Sequence, residues 1–307
     1  MKIVIIGTGG VGGYYGGLLA QQGEEVVFLA RGAHLQAIQQ HGLQIKSIHG
    51  DVTIQPAQAT DHLEGLGAVD LVVFCVKTYD TAALAQAIRP VVGQQTTVVS
   101  LQNGIDAAEQ IGAVVGMPHM LGGVTWISSA GEAPGVIRQV SQFRRVVLGE
   151  LDGSLTPRLQ AIFEAFQRTG ITVEISQAIR KVLWTKFVFI SSVSALGSLT
   201  RLALGEYRAV PETRALMRQL MGEVEAVARA QGVALDEDVV DKSLAFIDAA
   251  APGIKGSMQV DVDAGRRTEL ECMLGVIARQ GRQLGIPTPV ADMAYAALLP
   301  VDLKATG

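Results

Sequence analysis

The residues with the clearest chemical signature lie near the start of the chain, where glycines follow an apolar strand. Gly7, Gly9 and Gly12 form a GxGxxG pattern directly after Ile3–Ile6, and a segment able to form a helix follows. In this context the first glycine makes the turn, the second lets the backbone approach a pyrophosphate, and the third lets helix and strand pack closely. The helix N-terminus also offers free N–H groups to phosphates. The spacing predicts a dinucleotide-binding turn, with a purely structural glycine turn as the alternative.

The end of the second predicted strand bears on which dinucleotide binds. In NAD-binding folds of this kind a carboxylate about 20 residues after the glycines binds the ribose 2′-hydroxyl, whereas an arginine accommodates the 2′-phosphate of NADP. Here Glu25–Leu29 is followed by Arg31, and no carboxylate stands at that place. A guanidinium suits a phosphate both as a charge and as a bidentate donor. The sequence predicts NADPH/NADP+; an ordinary surface arginine in an NAD-binding protein is the alternative.

The first half of the chain alternates buried strands with helical segments. Near-continuous apolar strands are typical of parallel sheets that are covered on both faces. The predicted strands are Ile3–Ile6, Glu25–Leu29, a hairpin over Leu43–Ile48 and Val52–Ile54, Leu71–Val76, Thr97–Leu101 and Ile171–Ile175. The predicted helices are Tyr14–Gln22, Ala33–Gln40, Thr81–Ile88 and Leu155–Thr169. Residues 120–150 are expected to form short strands and glycine turns that add sheet at one edge.

The pattern changes near Ser176, after which almost every segment has helical periodicity. The predicted helices there are Ala178–Ser198, Pro211–Gln231, Glu237–Ala249 and Thr268–Leu284. We therefore predict an α/β fold, with an N-terminal Rossmann-type doubly wound sheet over residues 1–176 and an all-helical domain over residues 177–307. Thr268 and Glu271 fit a capping box, which would place Glu269 in the first turn of a helix.

Composition limits the classes of partner. The 307 residues are 49% hydrophobic and 18% charged, with a net charge of −4, so neither a nucleic acid nor an anionic membrane surface is an expected partner. We expect that no apolar run reaches the roughly 20 residues that a membrane span needs. We also expect the protein to be cytoplasmic. Two cysteines without metal-ligand spacing predict neither a disulfide nor a metal site. The apolar helices after Pro211 could pack within one subunit or between two, which leaves a homodimer open.

Further motifs give the chain a resemblance to a known family over its whole length. They are Val76-Lys77, Gln102-Asn103-Gly104, Pro134–Ile137, Trp184–Phe187, Ser257-Met258 with Asp261, Gly265–Leu270 and Gly285–Pro289. Together with the glycine turn and Arg31, this ordered set resembles 2-dehydropantoate 2-reductase, also called ketopantoate reductase. The resemblance implies a Rossmann domain and a helical domain with the active site in a cleft between them. It also implies NADPH-dependent reduction of a 2-keto acid to a 2-hydroxy acid in pantothenate biosynthesis.

The resemblance implies a role for each of several residues. Lys186 would be the catalytic acid, and Glu269 would hydrogen-bond the reacting oxygen or hold the lysine. Asn103 would lie near nicotinamide and substrate, Ser257 would bind the substrate carboxylate, and Lys77 would line the cofactor side. The predicted substrate contacts are Asn103, Ser194 and Ser257. The predicted cofactor contacts are Gly7, Thr8, Gly9, Gly10, Val11, Gly12, Arg31, Lys77, Asn103 and Glu269.

These residue types suit a carbonyl reduction. Hydride addition develops negative charge on the ketone oxygen, which a positioned donor must stabilise and protonate. A lysine does both, and its pKa falls when it is buried; Trp184, Phe187 and Val188 offer apolar surroundings for Lys186. A nearby glutamate such as Glu269 would instead keep the ammonium charged.

Each of these residues also has a plainer interpretation. Lys186 could extend from a buried helix to solvent, and Glu269 could serve only the helix dipole. Asn103 could belong to an ordinary Asn-Gly turn, Lys77 could be a surface residue at a strand end, and Ser257 a solvated loop serine.

The chain departs from the family pattern beside the predicted acid. The family has asparagines one and two helical turns after the lysine, whereas this chain has Ile190 and Ser194. Spacing of four residues keeps both on the helix face of Lys186. Either Ser191, Ser192 and Ser194 supply the polar contacts, or the enzyme reduces a different, more apolar 2-keto acid. A 3-hydroxy acid or opine dehydrogenase of the same architecture and a non-catalytic NADP(H) sensor are further hypotheses.

Overall fold

The structure, a computed structural model, describes residues 1–306 and contains two compact units. The first unit comprises Met1–Gln102 and Asp106–Ile179. The second comprises the chain from Arg180 onward together with Asn103–Ile105. The short segment that contains Asn103 therefore belongs to the helical unit, although it begins only three residues after the end of a strand of the first unit, Thr97–Ser100.

The first unit is built on one ten-stranded mixed sheet. Its strands are β1 (Lys2–Ile6), β2 (Glu25–Leu29), β3 (Leu43–Ser47), β4 (Val52–Ile54), β5 (Gln58–Thr60), β6 (Leu71–Phe74), β7 (Thr97–Ser100), β8 (Met120–Ala133), β9 (Val136–Gly149) and β10 (Thr172–Ile175). Its helices are α1 (Gly10–Gln21), α2 (Gly32–His41), α3 (Thr81–Ala87), α4 (Ala107–Val115) and α5 (Pro157–Arg168). The strand order is β4-β3-β9-β8-β7-β6-β1-β2-β5, and β10 pairs with β9. Each neighbouring pair in the series β5-β2-β1-β6-β7-β8 is parallel, whereas β8 and β9 are antiparallel.

Strand β1 is buried on both faces, as its continuous apolar sequence predicts. Ile3 and Ile5 belong to one apolar core, together with residues of α1. Val4 and Ile6 face the other core, on the opposite side of the sheet. This alternation confirms the doubly wound sheet. Helix α1 begins at Gly10, earlier than the predicted start at Tyr14, because its glycines act as helix residues that pack closely on the sheet.

The segment expected to form short strands at an edge is instead one long hairpin inside the sheet. Strands β8 and β9 have 14 residues each and lie between β7 and β3. Gly122 and Gly123, which suggested turns, are extended and pair with Gly149 and Leu148. A side chain at Gly122 would meet Ile179, since an added Cβ would lie 2.6 Å from Cγ1 of that residue. These glycines therefore allow close packing and do not end a strand.

The regular secondary structure of the described residues from Arg180 onward is entirely helical, as predicted. Its helices are α6 (Ile179–Thr200), α7 (Leu204–Arg208), α8 (Pro211–Ala230), α9 (Val239–Ala249), α10 (Ser257–Asp263), α11 (Val276–Leu284) and α12 (Pro289–Thr306). A π-helical turn over Glu271–Gly275 leads into α11. The sequence patterns missed α7 and α10, which are short, and α12, which contains Pro300. These helices enclose one apolar core that includes Trp184, Phe187 and Val188.

The expectation that no apolar run reaches the length of a membrane span is corrected by helix α6. Its 22 residues contain an 18-residue window of mean hydropathy 1.5, so by length and composition alone the helix could cross a membrane. However, 61% of that window is buried inside the protein. Burial of this kind is typical of a core helix, and one such helix is weak evidence for a span.

A carboxylate from α8 caps the start of α12. The two oxygens of Glu223 accept hydrogen bonds from the backbone amides of Val290 and Ala291, each over 2.9 Å. Pro289 occupies the first helical position, where its missing N–H costs nothing. Glu223 is 7% exposed, so its charge is stabilised by free amides of the helix N-terminus.

We predict that Glu223→Gln lowers the free energy of unfolding by about 1–3 kcal/mol, because an amide group would replace one of the two acceptors. Chemical denaturation followed by circular dichroism measures the change. Glu225→Gln on the same helix is the control: Glu225 makes an exposed ion pair with Arg229, and the loss should stay within about 1 kcal/mol. Equal losses in the two variants would contradict the capping role.

Candidate functional site

The glycine turn has the geometry that its sequence predicts. Gly7 has φ +94, and an added Cβ would lie 2.5 Å from Cγ1 of Val76. An added Cβ at Gly12 would lie 2.2 Å from the carbonyl oxygen of Gly7. At Gly9, by contrast, an added Cβ meets no atom within 4 Å. The turn is therefore closely packed beneath and open where the backbone amides at the start of α1 could receive a phosphate.

The first residues of α1 are also packed against β8. An added Cβ at Gly10 would lie 2.3 Å from the carbonyl oxygen of Ser129. Thr8 is buried, and both its amide and its Oγ1 donate to the carbonyl oxygen of Leu29, over 3.3 Å and 2.9 Å. Val11 packs against the apolar core. These contacts fix the turn between β1 and α1 from two sides.

Arg31 lies where the sequence predicted a group for the 2′-phosphate, directly after β2. It precedes α2, and 76% of its side chain is exposed. Its guanidinium is 3.6 Å from the carboxylate of Asp80. Asp80 ends the 3-10 turn Thr78–Asp80 that comes after β6, so both residues belong to connections at the carboxyl ends of parallel strands. Asp80 was not predicted as a site residue, because its contact with Arg31 joins two segments that are far apart in sequence.

Lys77 follows β6 and precedes a 3-10 turn over Thr78–Asp80, which places it at the same edge of the sheet. Gln102, in the Gln-Asn-Gly motif, is buried and ties this edge together. Its side-chain amide donates to the carbonyl oxygen of Val76 over 3.0 Å and to Oγ1 of Thr81 over 2.8 Å. Gln102 therefore fixes the strand end from which Asn103 follows.

Three predicted site residues come together in the second unit. The Nζ of Lys186, on α6, donates a hydrogen bond to Oδ1 of Asn103 over 2.8 Å. Lys186 is 9% exposed and Glu269 is 6% exposed. Burial lowers the pKa of Lys186 to about 8, and the negative charge of Glu269 opposes that shift. The group is an ammonium that can release a proton near neutral pH, as general acid catalysis requires.

Glu269 is held in place by an interaction that the sequence did not predict. The amide and the hydroxyl of Thr268 both donate to Oδ1 of Asp302 on α12, over 2.6 Å and 2.7 Å. Glu271 instead binds Arg279 and Tyr295. The predicted capping box between Thr268 and Glu271 is therefore wrong, because Asp302, and not Glu271, accepts the hydrogen bond from the Thr268 amide. Glu269 also lies just before the helical residues, which begin at Leu270, and not in the first turn of a helix as predicted.

Two of the serines after Lys186 do not supply polar contacts to a ligand. The hydroxyls of Ser191 and Ser192 donate to the carbonyl oxygens of Phe187 and Val188 in their own helix, and both residues are fully buried. The hypothesis that they replace the family's asparagines is wrong for these two. Ser194 is buried at 3% exposure on α6.

Ile190, four residues after Lys186, is half-buried and packs against the helical core. Ser257 is exposed at the first residue of α10, and its role in binding a carboxylate stays a prediction. Nearby, Asp261 is buried and accepts two hydrogen bonds from Arg266, over 2.9 Å and 2.8 Å. Within residues 1–306, no group of three or more His, Cys, Asp or Glu side chains is arranged to hold a metal ion.

Comparison with known proteins matches both halves of the chain to one family. A family model described as "Ketopantoate reductase PanE/ApbA" matches residues 3–153, and its C-terminal counterpart matches residues 178–302. The uncharacterized oxidoreductase YkpB of Bacillus subtilis is 32% identical over 97% of this chain and 98% of its own length. The 2-dehydropantoate 2-reductase of Mesorhizobium japonicum is 31% identical over 96% of each chain.

Solved structures give the same result. A PanE/ApbA family ketopantoate reductase from Ralstonia eutropha has a TM-score of 0.92 and 32% identity over 100% of both chains. The 2-dehydropantoate 2-reductase of Geobacter metallireducens has a TM-score of 0.92 and 31% identity, over 98% of this chain and 99% of its own. D-mandelate dehydrogenase with bound NADH shares the fold at 22% identity, with a TM-score of 0.90.

We predict that Lys186 titrates with a pKa of about 8 and that Glu269→Gln lowers this value further, because the substitution removes the charge that stabilises the ammonium. NMR of isotopically labelled lysine side chains measures the midpoint, with Lys186→Arg identifying the signal. Glu271→Gln is the matched control and should leave the midpoint unchanged. A midpoint near the usual 10.5 in the wild-type protein would contradict the burial argument.

Proposed function

Because this chain belongs to the ketopantoate reductase family, we propose that it uses NADPH to reduce a 2-keto acid to a 2-hydroxy acid. Ketopantoate is the proposed substrate and pantoate the product, which places the enzyme in pantothenate biosynthesis in the cytoplasm. The observation that carries this proposal is the buried Lys186 ammonium. It donates a hydrogen bond to Asn103, and the negative charge of Glu269 opposes the lowering of its pKa by burial.

The residues of the first unit fit a bound NADPH. Gly9 leaves room for a pyrophosphate beside the start of α1, and Arg31 offers an exposed guanidinium for the 2′-phosphate. Lys77 would line the cofactor side of the site. When bound, NADPH supplies the hydride that the ketone carbon accepts.

Lys186 supplies the proton in the proposed mechanism. Its ammonium would donate a hydrogen bond to the ketone oxygen and transfer a proton as negative charge develops there. Asn103 holds the Nζ through its side-chain oxygen, which limits the directions in which the ammonium can point. Glu269 opposes the loss of the proton before substrate binds, and Ser257 and Ser194 are the proposed substrate contacts. After transfer, the neutral amine regains a proton from solvent.

A second candidate substrate has its own support. Ile190 and Ser194 stand where the family has asparagines, and Ile190 presents an apolar side chain that packs against the helical core. A site without those amides would bind the hydroxyl of ketopantoate less well and would favour a more apolar 2-keto acid. There are two further alternatives. One is a dehydrogenase for a 3-hydroxy acid or an opine, and the other is a non-catalytic NADP(H) sensor. The assays of NADPH oxidation and NADPH binding described next separate them.

We predict that the wild-type protein oxidises NADPH with at least one member of a panel of 2-keto acids that includes ketopantoate. Lys186→Ala should lower turnover by about 1000-fold, the order expected for loss of a general acid, and leave the dissociation constant of NADPH nearly unchanged. Absorbance of NADPH and fluorescence titration measure the two quantities. Lys181→Ala is the matched control, because Lys181 lies on the same helix in an ion pair with Asp236.

Tight NADPH binding without turnover on any keto acid would favour the sensor. Equal loss of turnover and NADPH binding in Lys186→Ala would contradict its role as the acid.

We predict that Arg31→Ala raises the dissociation constant of NADPH by about 10- to 100-fold, as expected for loss of a hydrogen-bonded ionic contact. The dissociation constant of NADH should barely change. Fluorescence titration with both coenzymes measures the preference. Arg89→Ala, a change at an exposed arginine of the same unit, is the control. An unchanged preference in Arg31→Ala would mean that the 2′-phosphate binds elsewhere.

We predict that Ile190→Asn raises kcat/KM for ketopantoate about tenfold relative to trimethylpyruvate, which lacks only the hydroxyl group. The added amide gives that hydroxyl a partner. Steady-state kinetics with both keto acids measures the ratio, and Ile190→Leu controls for repacking. If the ratio is the same in the wild-type protein and both variants, residue 190 does not contact the substrate.

A further inference from the structure

A histidine of the first unit connects the glycine turn to a hairpin that is distant in sequence. His34 lies in the first turn of α2, and its Nε2 is 2.7 Å from the carbonyl oxygen of Thr8. The amide of Gly135, in the turn between β8 and β9, donates to Nδ1 of the same ring over 2.9 Å. The imidazole thus bridges two backbone groups, one of them inside the predicted dinucleotide turn.

The two partners determine which nitrogen of His34 carries the proton. An amide N–H can only donate, so Nδ1 must be unprotonated, and a carbonyl oxygen can only accept, so Nε2 must carry the proton. Only the neutral ring with hydrogen on Nε2 satisfies both contacts. The bridge is therefore directional, and an apolar side chain of similar size cannot replace it.

The hairpin end of this bridge is itself anchored. Gly135 has φ +75, and its carbonyl oxygen accepts from the amide of Gln44 on β3 over 2.8 Å. An added Cβ at Gly135 would lie 3.1 Å from Cβ of Ala37 on α2. Residues Pro134–Ile137, a motif that the proposed reaction leaves without a role, thus form a fixed point beside α2.

At the other end, Thr8 uses its amide, hydroxyl and carbonyl at the same time. The first two donate to Leu29, as described above, and the carbonyl accepts from His34. Thr8 stands between Gly7, which has positive φ, and Gly9, which precedes the first residue of α1. The direction of the Thr8 carbonyl sets the orientation of the peptide group that leads into Gly9, and so of the amides that follow.

We propose that His34 is a positioning residue for the dinucleotide turn. By joining Thr8 to Gly135, it holds the turn in the conformation in which its amides receive the pyrophosphate of NADPH. This inference rests on the proposed NADPH-dependent function. It assigns His34 no contact with the dinucleotide and no part in the chemistry.

The test compares His34→Met, which removes both hydrogen bonds, with His34→Gln, whose amide can donate to Thr8 and accept from Gly135. The Met variant should raise the dissociation constant of NADPH about tenfold, and the Gln variant should recover most of this loss. Adenosine 2′-phosphate, which lacks the pyrophosphate, should bind both variants as it binds the wild-type protein. His41→Met, at the exposed end of the same helix, is the control.

The outcomes separate this inference from the proposed function. If the wild-type protein binds no NADPH, the proposed function fails. If it binds NADPH and His34→Met binds it equally well, only the role of His34 is overturned. Loss of adenosine 2′-phosphate binding in His34→Met would also overturn it, since that result indicates disruption of the whole helix around Arg31.

A measurement on the unmodified protein covers the case in which His34→Met does not fold. If the bridge supports NADPH binding, then NADPH must in turn stabilise the bridge, because coupling between two binding events is reciprocal. Hydrogen exchange of the Gly135 amide should therefore slow when NADPH is added. Exchange that is unchanged at saturating NADPH would overturn the inference.

Discussion

The central physical constraint in this protein is an ammonium group buried on a long apolar helix. Taking a charge out of water costs several kcal/mol unless partners compensate for it. Lys186 meets this cost in part through the side-chain oxygen of Asn103 and the charge of Glu269, and in part through a lowered pKa. A group kept in that balance can give up its proton readily.

Each partner of the lysine follows a residue whose side chain is held by hydrogen bonds. Asn103 follows Gln102, whose side chain bonds to Val76 and Thr81 at the ends of neighbouring elements. Glu269 follows Thr268, which is held by Asp302 from the last helix. The helix that carries the lysine and the helical turn that begins after the glutamate are in turn joined by one apolar core. The position of the ammonium thus depends on the packing of the whole helical unit.

The sequence predicted those parts that depend on local pattern. The strands β1, β2, β6 and β7 and the glycine turn were found because buried parallel strands and GxGxxG spacing are local signals. The glycines inside β8 were predicted to form turns. They are in fact needed for close packing against residues that are distant in sequence, such as Ile179, which no local pattern indicates. Short helices and a helix containing Pro300 gave too little periodicity to be recognised.

At the site, too, the residue types could be predicted from the sequence, whereas their contacts could not. Lys186, Asn103 and Glu269 could be named because their motifs resemble a family, but their proximity is a property of the folded chain. Asp80 beside Arg31, and Asp302 beside Thr268, could not be inferred, since each pair is far apart in sequence. Ser191 and Ser192 were one of two alternatives for the missing asparagines, and the sequence could not exclude them because a hydroxyl can bond to its own helix as easily as to a ligand.

The most direct test of this account is the rate of a single turnover of bound NADPH and keto acid as a function of pH. If the Lys186 ammonium donates the proton, the rate should fall as pH rises through about 8, following one ionisation. The falling limb should move to lower pH when Glu269 is replaced by glutamine. A rate that stays constant well above that pH in the wild-type enzyme would contradict the account, because the proton would then come from another group.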